Sequence, residues 1–286
     1  MAKKNVLYEV KDNIGWITLN RPEKLNAMND ALLMELDEVL ARAEPDLEAK
    51  VLVIRGAGKS FSSGQDLGGA GAFEAVPIDP RHRQPTKELL EAERRRSRRW
   101  EYIFNLAKPT IAQVHGYCLG TGLYLAMICD ITIAAEDAQL GDPAARMGLL
   151  SSMPLWLWLV GARRAREALL TGRYIGGKEA EDWGLINKAV PAKKLDDEVR
   201  RWASGLALVH GDALAAAKDA LNGTMEARGL GAAWRYTTDM QLVMQGRLPR
   251  SEEVAFWETR DKKGLRQSLE DRDRPFKGFS GSGGGG

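Results

Sequence analysis

The stretch from Ala107 to Asp142 contains a glycine-rich turn of a kind that can hold a negative charge. It predicts an apolar strand at Thr110–Val114, a turn at Gly116–Gly122 and an apolar helix at Leu123–Cys129. Glycines let the backbone approach a ligand closely, and the first N–H groups of the following helix have no partner within that helix. Because the positive end of the helix dipole lies behind them, such a turn suits a phosphate or an oxyanion. A tight structural turn explains one such segment equally well.

A second glycine-rich turn follows another apolar strand nearer the N-terminus. The segment Lys50–Asp66 reads KVLVIRGAGKSFSSGQD, and it predicts a strand at Val51–Arg55 whose turn leads into Phe61–Asp66. Two strand-to-turn units of this kind in one chain favour a shared ligand site over two unrelated structural turns.

Strands and helices alternate in the part of the chain that would position these turns. The predicted elements are a hairpin at Leu7–Val10 and Ile14–Leu19, a strand at Ile131–Ala135, and helices at Ala31–Ala43, Glu88–Leu106, Leu155–Leu170 and Lys178–Trp183. Such alternation predicts a sheet with crossover helices. We therefore expect a core over residues 1–193, a helical region over 194–279 and a flexible Gly/Ser tail over 280–286.

Composition excludes several classes of function. The net charge of +2 gives no bulk attraction toward nucleic acid, and no apolar run approaches the roughly 20 residues that span a membrane. The N-terminus lacks the apolar core of a signal peptide, so we expect a cytoplasmic protein. Cys118 and Cys129 flank an apolar helix and are interpreted as small buried hydrophobes. The three histidines are scattered, so no metal site is predicted.

Several short motifs, in a fixed order, carry a resemblance to a known family. They are Asn20–Ala27 (NRPEKLNA), Phe61–Asp66 (FSSGQD), Val114–Gly116 (VHG), Cys129–Asp130, Leu170–Gly172 (LTG) and Gly184–Ile186 (GLI). With them the chain resembles the crotonase superfamily of enoyl-CoA hydratases and isomerases over almost its whole length. The resemblance implies an α/β fold with a crotonase-type β-β-α spiral core, a helical C-terminal trimerisation region, and a homotrimer or homohexamer.

The resemblance also implies an oxyanion hole made of two backbone N–H groups. By position these belong to Gln65 and Thr121, and they would hold the thioester oxygen of an acyl-CoA while it gains negative charge. Ser63, Asp66 and Gly120 lie beside the two donors and are expected to contact substrate, with Asp66 also bracing its loop. No separate cofactor is implied, since coenzyme A is part of the substrate.

The acid and base residues depart from the family pattern. Hydratases of this family carry two glutamates, and the corresponding positions here are Tyr124 and Ala144, neither of which is a carboxylate. Asp142 remains, and a partly desolvated aspartate there can act as a general base, although Asp is also a favoured turn residue before Pro143. Tyr124 would donate a hydrogen bond or relay a proton, or would simply line the pocket.

Residues elsewhere in the chain are further candidates. Within residues 68–106, a possible lid and helix, four side chains are candidate acids or bases: His82, Glu91, Glu93 and Glu101. Lys24 matches a family position near the CoA phosphates, and Phe276 with Lys277 would reach a neighbouring subunit's CoA. Trp156 and Trp158 would shape a bulky acyl pocket or pack in the core.

The function predicted from these residues is acyl-CoA chemistry through a thioester enolate or oxyanion. The leading hypothesis is an enoyl-CoA hydratase-type lyase that acts on a bulky acyl group. One alternative is a CoA-dependent hydrolase that cleaves a C–C bond or the thioester. Another is a CoA-binding scaffold without catalytic activity, which the missing glutamates would also explain.

Overall fold

The fold is described from a computed structural model, for residues 3–68, 85–247 and 251–278. The strands in these residues are β1 (Val6–Lys11), β2 (Ile14–Leu19), β3 (Val51–Gly56), β4 (Thr110–Val114), β5 (Tyr117–Leu119), β6 (Ile131–Ala135), β7 (Gln139–Gly141), β8 (Ile175–Gly176) and β9 (Lys188–Val190). The α-helices are α1 (Asp30–Ala43), α2 (Thr86–Phe104), α3 (Thr121–Ile128), α4 (Trp156–Thr171), α5 (Gly177–Trp183), α6 (Leu195–Ala207), α7 (Gly211–Ala227), α8 (Leu230–Gly246), α9 (Ser251–Lys263) and α10 (Leu265–Asp273). The α/β fold class and the helical C-terminal region are both confirmed.

The main sheet has six strands in the order β1-β2-β3-β4-β6-β9. The first two strands form the predicted antiparallel hairpin, and its turn residues Asp12 and Asn13 both have positive φ, which their side chains tolerate. All other neighbours in this sheet are parallel, joined through crossover helices such as α1 and α2. Residues Val51–Ile54 of β3 are fully buried, as expected for a parallel strand covered on both faces.

A second sheet of three short strands, β5-β7-β8, lies beside the two glycine-rich segments. The segment before Gln65 runs parallel to β5: the Ser62 N–H donates to Tyr117 O at 2.9 Å, and the Leu119 N–H donates to Ser62 O at 3.0 Å. Strand β7 ends at Gly141, immediately before Asp142. This small sheet therefore brings together the two turns and the carboxylate that the sequence analysis singled out.

Asn26 joins the N-terminal turn to the loop that precedes Phe61–Asp66. Its side chain is fully buried, and its amide N–H₂ donates to Ala57 O at 2.9 Å and to Ser60 O at 2.8 Å. Its Oδ1 accepts a hydrogen bond from the Arg21 N–H at 2.9 Å. The residue also has a φ of 54°, a left-handed conformation that asparagine adopts more easily than most residues.

Replacing Asn26 by alanine should lower the free energy of unfolding by about 3 kcal/mol, because buried backbone groups lose their partners. Asn13→Ala is the matched control, since Asn13 has a φ of 61° but an exposed side chain. It should cost about 1 kcal/mol, mainly the strain of the left-handed backbone, because its one side-chain hydrogen bond, to Glu48 O at 3.3 Å, is exposed to solvent. Urea denaturation measures both, and equal losses would show that the buried hydrogen bonds of Asn26 contribute nothing.

The C-terminal helices fold back onto their own chain. Phe256 and Trp257 of α9 form a separate buried cluster, packed against side chains from α10 and from the loops near the second turn: Leu67, Met147, Leu149, Leu265 and Leu269. Helix α10 also closes one side of a cavity in the same chain. The expected contact of this end of the chain with a neighbouring subunit stays a prediction.

In the described part of the chain, no helix combines the length and the hydropathy needed to cross a bilayer.

Candidate active site

A cavity of about 830 Å³ lies between the glycine-rich turns and the C-terminal helix α10. Its walls include nearly all of the residues that the sequence analysis proposed for a site: Lys24, Ser63, Gln65, Asp66, Gly120, Thr121, Tyr124 and Asp142. Residues far apart in the sequence are thus gathered around one volume. This size is typical of a pocket for a cofactor-sized ligand.

Two backbone N–H groups of the cavity wall are available to a ligand. Neither the Gln65 N–H nor the Thr121 N–H donates a hydrogen bond to any residue that the structure describes. The two segments are in close contact, because Thr121 Oγ1 lies 3.5 Å from Gln65 Oε1. Thr121 is also the first residue of α3, so its N–H lies at the positive end of the helix. The arrangement fits an oxyanion hole.

Glycines, not Thr121, adopt the unusual backbone conformations in this hole. Gly120 has φ 46° and ψ −118°, whereas Thr121 is already helical, so its branched side chain is accommodated. Gly64 has a φ of 94°, and a Cβ there would lie 2.7 Å from Leu119 O. The close approach of the two turns therefore requires glycine at position 64.

One helical turn along α3 from the Thr121 N–H, a buried tyrosine meets a buried carboxylate. The Tyr124 hydroxyl donates to Asp142 Oδ2 at 2.8 Å, lies 3.0 Å from Ser151 Oγ, and accepts from the Ser152 N–H at 3.1 Å. The second oxygen of Asp142 accepts from the Ala144 N–H at 3.2 Å. Asp142 therefore caps the turn that begins at Pro143 and also lines the cavity. Its interpretation as a turn residue and its interpretation as a general base do not exclude each other.

Burial raises the pKa of both groups of this pair. Loss of solvent raises the pKa of the Asp142 carboxyl, and the hydrogen bonds from Ser151 and Tyr124 only partly oppose that change. Burial, with the nearby Asp142 charge, raises the pKa of the Tyr124 phenol well above its usual value. Tyr124 therefore keeps its proton and donates a hydrogen bond, whereas Asp142 is the group of the pair that can exchange a proton.

The other candidate acids and bases are occupied elsewhere. Glu93 is buried in an ion pair with Arg96 at 2.6 Å and accepts from Gln245 Nε2 at 2.7 Å. Glu101 accepts from the Ser97 hydroxyl, and Glu91 lies 3.9 Å from Lys87. None of these three glutamates lines the cavity. His82, with most of the proposed lid at 68–85, lies outside the described residues.

Two exposed lysines line the cavity and are available to an anionic ligand. Lys24 and Lys277 both line it, and neither ammonium group has an ion-pair partner among residues 3–68, 85–247 and 251–278. Asp66 lies nearby and is engaged in its loop, where it accepts from Arg21 Nη1 and from the Gly68 N–H, both at 3.0 Å. The two unpaired ammonium groups suit phosphate groups of a ligand in the cavity.

Two predicted substrate contacts lie outside the cavity wall. Trp156 is fully buried in the main core, and Phe276 lies against the Arg146 guanidinium, 4.4 Å from the ring centroid. Trp158 is only partly buried against the same core. Trp156 therefore packs the protein interior, and the tryptophan that does line the cavity is Trp100.

Sequence analysis missed Trp100 and Gln241. Trp100 lies on α2, next to a run of arginines, and its ring meets the Tyr124 ring edge-on with centroids 6.5 Å apart. Gln241 lies on α8, far along the chain, and both side chains line the cavity. A lone tryptophan in a charged helix was the only available signal.

In the described residues, no group of three or more His, Cys, Asp or Glu side chains is placed to hold a metal ion.

Comparison with known proteins identifies the family. The family model described as Enoyl-CoA hydratase/isomerase matches residues 9–278. The chain belongs to the enoyl-CoA hydratase/isomerase family. It is therefore an enzyme of the crotonase superfamily, and the resemblance stated above is confirmed.

Individual members of the enoyl-CoA hydratase/isomerase family resemble the chain over most of its length. An enoyl-CoA hydratase/isomerase structure from Xanthobacter autotrophicus Py2 has a TM-score of 0.86 at 32% identity, covering 96% of this chain and 99% of that one. An enoyl-CoA hydratase from Mycobacterium smegmatis gives 0.86 at 30% identity, covering 96% and 95%. The hydroxycinnamoyl-CoA hydratase-lyase of Pseudomonas fluorescens is 36% identical over 199 residues, 67% of this chain and 68% of the relative.

Proposed function

We propose that this enzyme adds water to the C=C bond of a bulky enoyl-CoA thioester, with Asp142 as its proton carrier. The observation that supports this most directly is the buried Tyr124–Asp142 hydrogen bond of 2.8 Å, one helical turn from the free Thr121 N–H. A base and an oxyanion hole at that spacing are what conjugate addition to a thioester needs.

Two parts of the substrate bind to different groups of the cavity: the CoA phosphates to lysines and the thioester to backbone N–H groups. Lys24 and Lys277 would attract the CoA phosphates at one edge of the cavity. The thioester oxygen would then accept hydrogen bonds from the Gln65 and Thr121 N–H groups. Those donors are fixed before the substrate arrives, so they stabilise the enolate charge without reorganising as it forms.

A single carboxylate can carry the proton through the whole addition. Ionised Asp142 takes a proton from water as the water oxygen bonds to C3, and the electron pair of the C=C bond moves toward the thioester oxygen. The enolate then reforms the C=O bond as C2 takes the same proton from Asp142, which regenerates the carboxylate. Tyr124 holds the carboxylate in place by donating to Oδ2 throughout. Atoms and charge balance, and the reaction needs no cofactor beyond the CoA that the substrate carries.

The cavity supports a bulky acyl group. Its wall near the Tyr124–Asp142 pair is formed by Ala144, Leu149, Leu150 and the ring of Trp100. Ala144 stands where family hydratases carry a glutamate, and its small side chain leaves room for the substrate. The hydroxycinnamoyl-CoA hydratase-lyase named above is a relative whose name specifies a bulky acyl group.

Mass-spectrometric turnover of straight-chain, aromatic and cyclic β-keto CoA esters tests the proposal. We expect an aromatic enoyl-CoA to gain one water with its thioester intact and to lose its C=C absorbance. Release of free CoA, or ring opening to a new carboxylate, would instead establish a hydrolase in which Asp142 activates water toward a carbonyl. Tight binding of every ester without turnover would establish a scaffold.

The oligomeric state stays a prediction of a homotrimer or homohexamer. Light scattering coupled to size-exclusion chromatography gives the mass directly, and a mass of one chain would contradict it.

A further inference from the structure

The hydroxyl of Ser151 contacts the Tyr124–Asp142 pair, and the proposed mechanism does not use it. Its Oγ lies 3.0 Å from the Tyr124 hydroxyl oxygen, and the neighbouring Ser152 N–H donates to the same oxygen at 3.1 Å. This backbone hydrogen bond ties the segment to α3, so it also holds Ser151 beside Tyr124. Ser151 is partly buried and does not line the cavity itself. It can therefore influence the reaction only through the pair.

The number of protons in this cluster determines which hydroxyl donates to which oxygen. The Tyr124 hydroxyl has one proton and two possible acceptors, Asp142 Oδ2 at 2.8 Å and Ser151 Oγ at 3.0 Å. The ionised carboxylate is both the nearer acceptor and the stronger one, because hydrogen bonds to a charged group exceed neutral ones. The Tyr124 proton therefore goes to Asp142, and the proton of Ser151 makes the 3.0 Å contact. The phenol oxygen then accepts from Ser151 and from the Ser152 N–H.

Two donors to the phenol oxygen strengthen the hydrogen bond that the phenol itself donates. Hydrogen bonds in a chain polarise one another, so the effect reaches the carboxylate at the end of the chain. Burial raises the pKa of the Asp142 carboxyl, whereas the hydrogen bonds from Ser151 and Tyr124 lower it. Ser151 thus favours the ionised form of Asp142, which is the form that takes a proton from water.

The charged groups of the neighbouring elements are engaged with one another. They are Arg96 with Glu93 on α2, Arg146 and Arg272 with Asp273 at the end of α10, and Tyr174 with Arg272. Besides burial, the pKa of the Asp142 carboxyl depends on hydrogen bonds from Ser151, Tyr124 and the Ala144 N–H. Of these three donors only the Tyr124 phenol is ionisable, and burial keeps it protonated.

We propose that Ser151 is a positioning residue of this enzyme, whose hydroxyl donates to the Tyr124 oxygen and so directs the Tyr124 proton onto ionised Asp142. The inference rests on the proposed function in taking Asp142 as the proton carrier. Because Ser151 acts through Tyr124 and lies off the cavity, its loss should change the ionisation of Asp142 and not the affinity for a CoA ester.

The pH dependence of turnover in Ser151→Ala tests the inference. Without the Ser151 donor the ionised form of Asp142 is less stabilised, so the acid limb of kcat should move up by about 0.5–1 pH unit. Below that limb kcat should fall about three- to tenfold, whereas its plateau at higher pH and the Kd of the ester should stay within about twofold. An acid limb at the wild-type pH, or an equal loss of kcat at every pH, would overturn the inference.

Three further variants separate the hydroxyl from a general loss of packing. Ser151→Thr keeps the hydroxyl and should retain the wild-type acid limb, whereas Ser151→Val has the same shape without it and should behave like Ser151→Ala. Ser268→Ala removes another buried serine hydroxyl, which donates to Phe256 O at 2.7 Å and does not line the cavity. This control should leave the acid limb in place. Equal shifts in the threonine and valine variants, or a shift in the control, would also overturn the inference.

Urea denaturation tests the inference without turnover and so separates it from the proposed function. Because the variant raises the folded-state pKa of Asp142, Ser151→Ala should cost more stability at pH 7, where the carboxyl is ionised, than near pH 3, where it is protonated. The loss in Ser268→Ala should be equal at both pH values. If esters are hydrated but the Ser151→Ala loss does not depend on pH, the proposed function stands and the inference is wrong. If no ester is hydrated while that loss grows with pH, hydration is wrong and the role of Ser151 stands.

Discussion

Asp142→Asn should lower kcat by about a thousandfold, the largest effect that we expect from a single substitution of a cavity side chain. General acid–base catalysis by a positioned group contributes about 10²–10⁴-fold, and Asp142 is the one proton carrier of the proposed mechanism. Asparagine keeps the shape of the side chain, and its Oδ1 can still cap the Ala144 N–H. Its N–H₂ takes the place of Oδ2 and donates to the Tyr124 hydroxyl, whose own proton can turn to Ser151 Oγ, 3.0 Å away. The loss would therefore report the missing proton acceptor and not a distorted site.

Kinetics with the best ester of the panel measure this loss, and Asp137→Asn serves as the control. Asp137 lies on the surface a few residues earlier in the chain and does not line the cavity, so its variant should keep full turnover. Wild-type turnover in Asp142→Asn would show that Asp142 is only a turn residue.

The pH dependence of wild-type kcat should also reflect the ionisation of Asp142. Because burial raises the pKa of the Asp142 carboxyl, kcat should fall on acidification through a pKa above the usual aspartate value.

For stability, an aspartate whose folded-state pKa is raised favours the folded state below its unfolded pKa, and this contribution is lost as pH rises through the folded pKa. At neutral pH the ionised Asp142 thus costs stability.

Asp142→Asn should accordingly be at least as stable as the wild type at pH 7, while any advantage disappears near pH 3. Urea denaturation at the two pH values measures this, and a variant that is less stable at pH 7 than at pH 3, relative to wild type, contradicts the assignment. A gain in stability together with a loss of turnover would indicate a residue kept for chemistry at the expense of stability.

The sequence was sufficient for those parts of the site that depend on local structure. Apolar runs such as Val51–Arg55 predict buried strands, and glycines at 64 and 120 predict turns because only particular backbone conformations bring two turns so close. The resemblance then assigned the two donors by position. The departures at Tyr124 and Ala144 directed attention to Asp142, which the structure does place in the cavity beside Tyr124.

The remaining parts of the site depend on tertiary packing, which no local pattern records. Trp100 belongs to a helix whose sequence is dominated by charge, and only the packing of α2 against α3 and α8 turns its ring toward Tyr124. The apolar residues around Trp156 resemble a pocket wall in composition, yet Trp156 itself is buried in the core. Likewise, the position of α10 at the cavity depends on the packing of Leu265 and Leu269 against Phe256 and Trp257, which are distant from the glycine-rich turns in the sequence.

Gly64→Ala should lower kcat by about 10²–10³-fold, the loss typical of one oxyanion-hole donor. The added Cβ would lie 2.7 Å from Leu119 O, a backbone atom that cannot move aside as a flexible side chain can. Relief of this contact must separate the two turns, and with them the Gln65 and Thr121 N–H groups. Because the charge on the thioester oxygen grows during the reaction, the misplaced donors should reduce kcat far more than they weaken binding of the CoA ester.

Gly184→Ala separates this effect from backbone strain. Gly184 has a φ of 77°, similar in kind to the 94° of Gly64, but its added Cβ would have no contact closer than 3.5 Å, and the residue lies away from the cavity. Gly184→Ala should lose about 1–2 kcal/mol of stability from backbone strain alone, and Gly64→Ala should lose more because of its added backbone contact, whereas only Gly64→Ala should lose kcat. Equal turnover in the two variants would contradict an oxyanion hole at this position. The enolate would then need a source of stabilisation other than the Gln65 and Thr121 N–H groups.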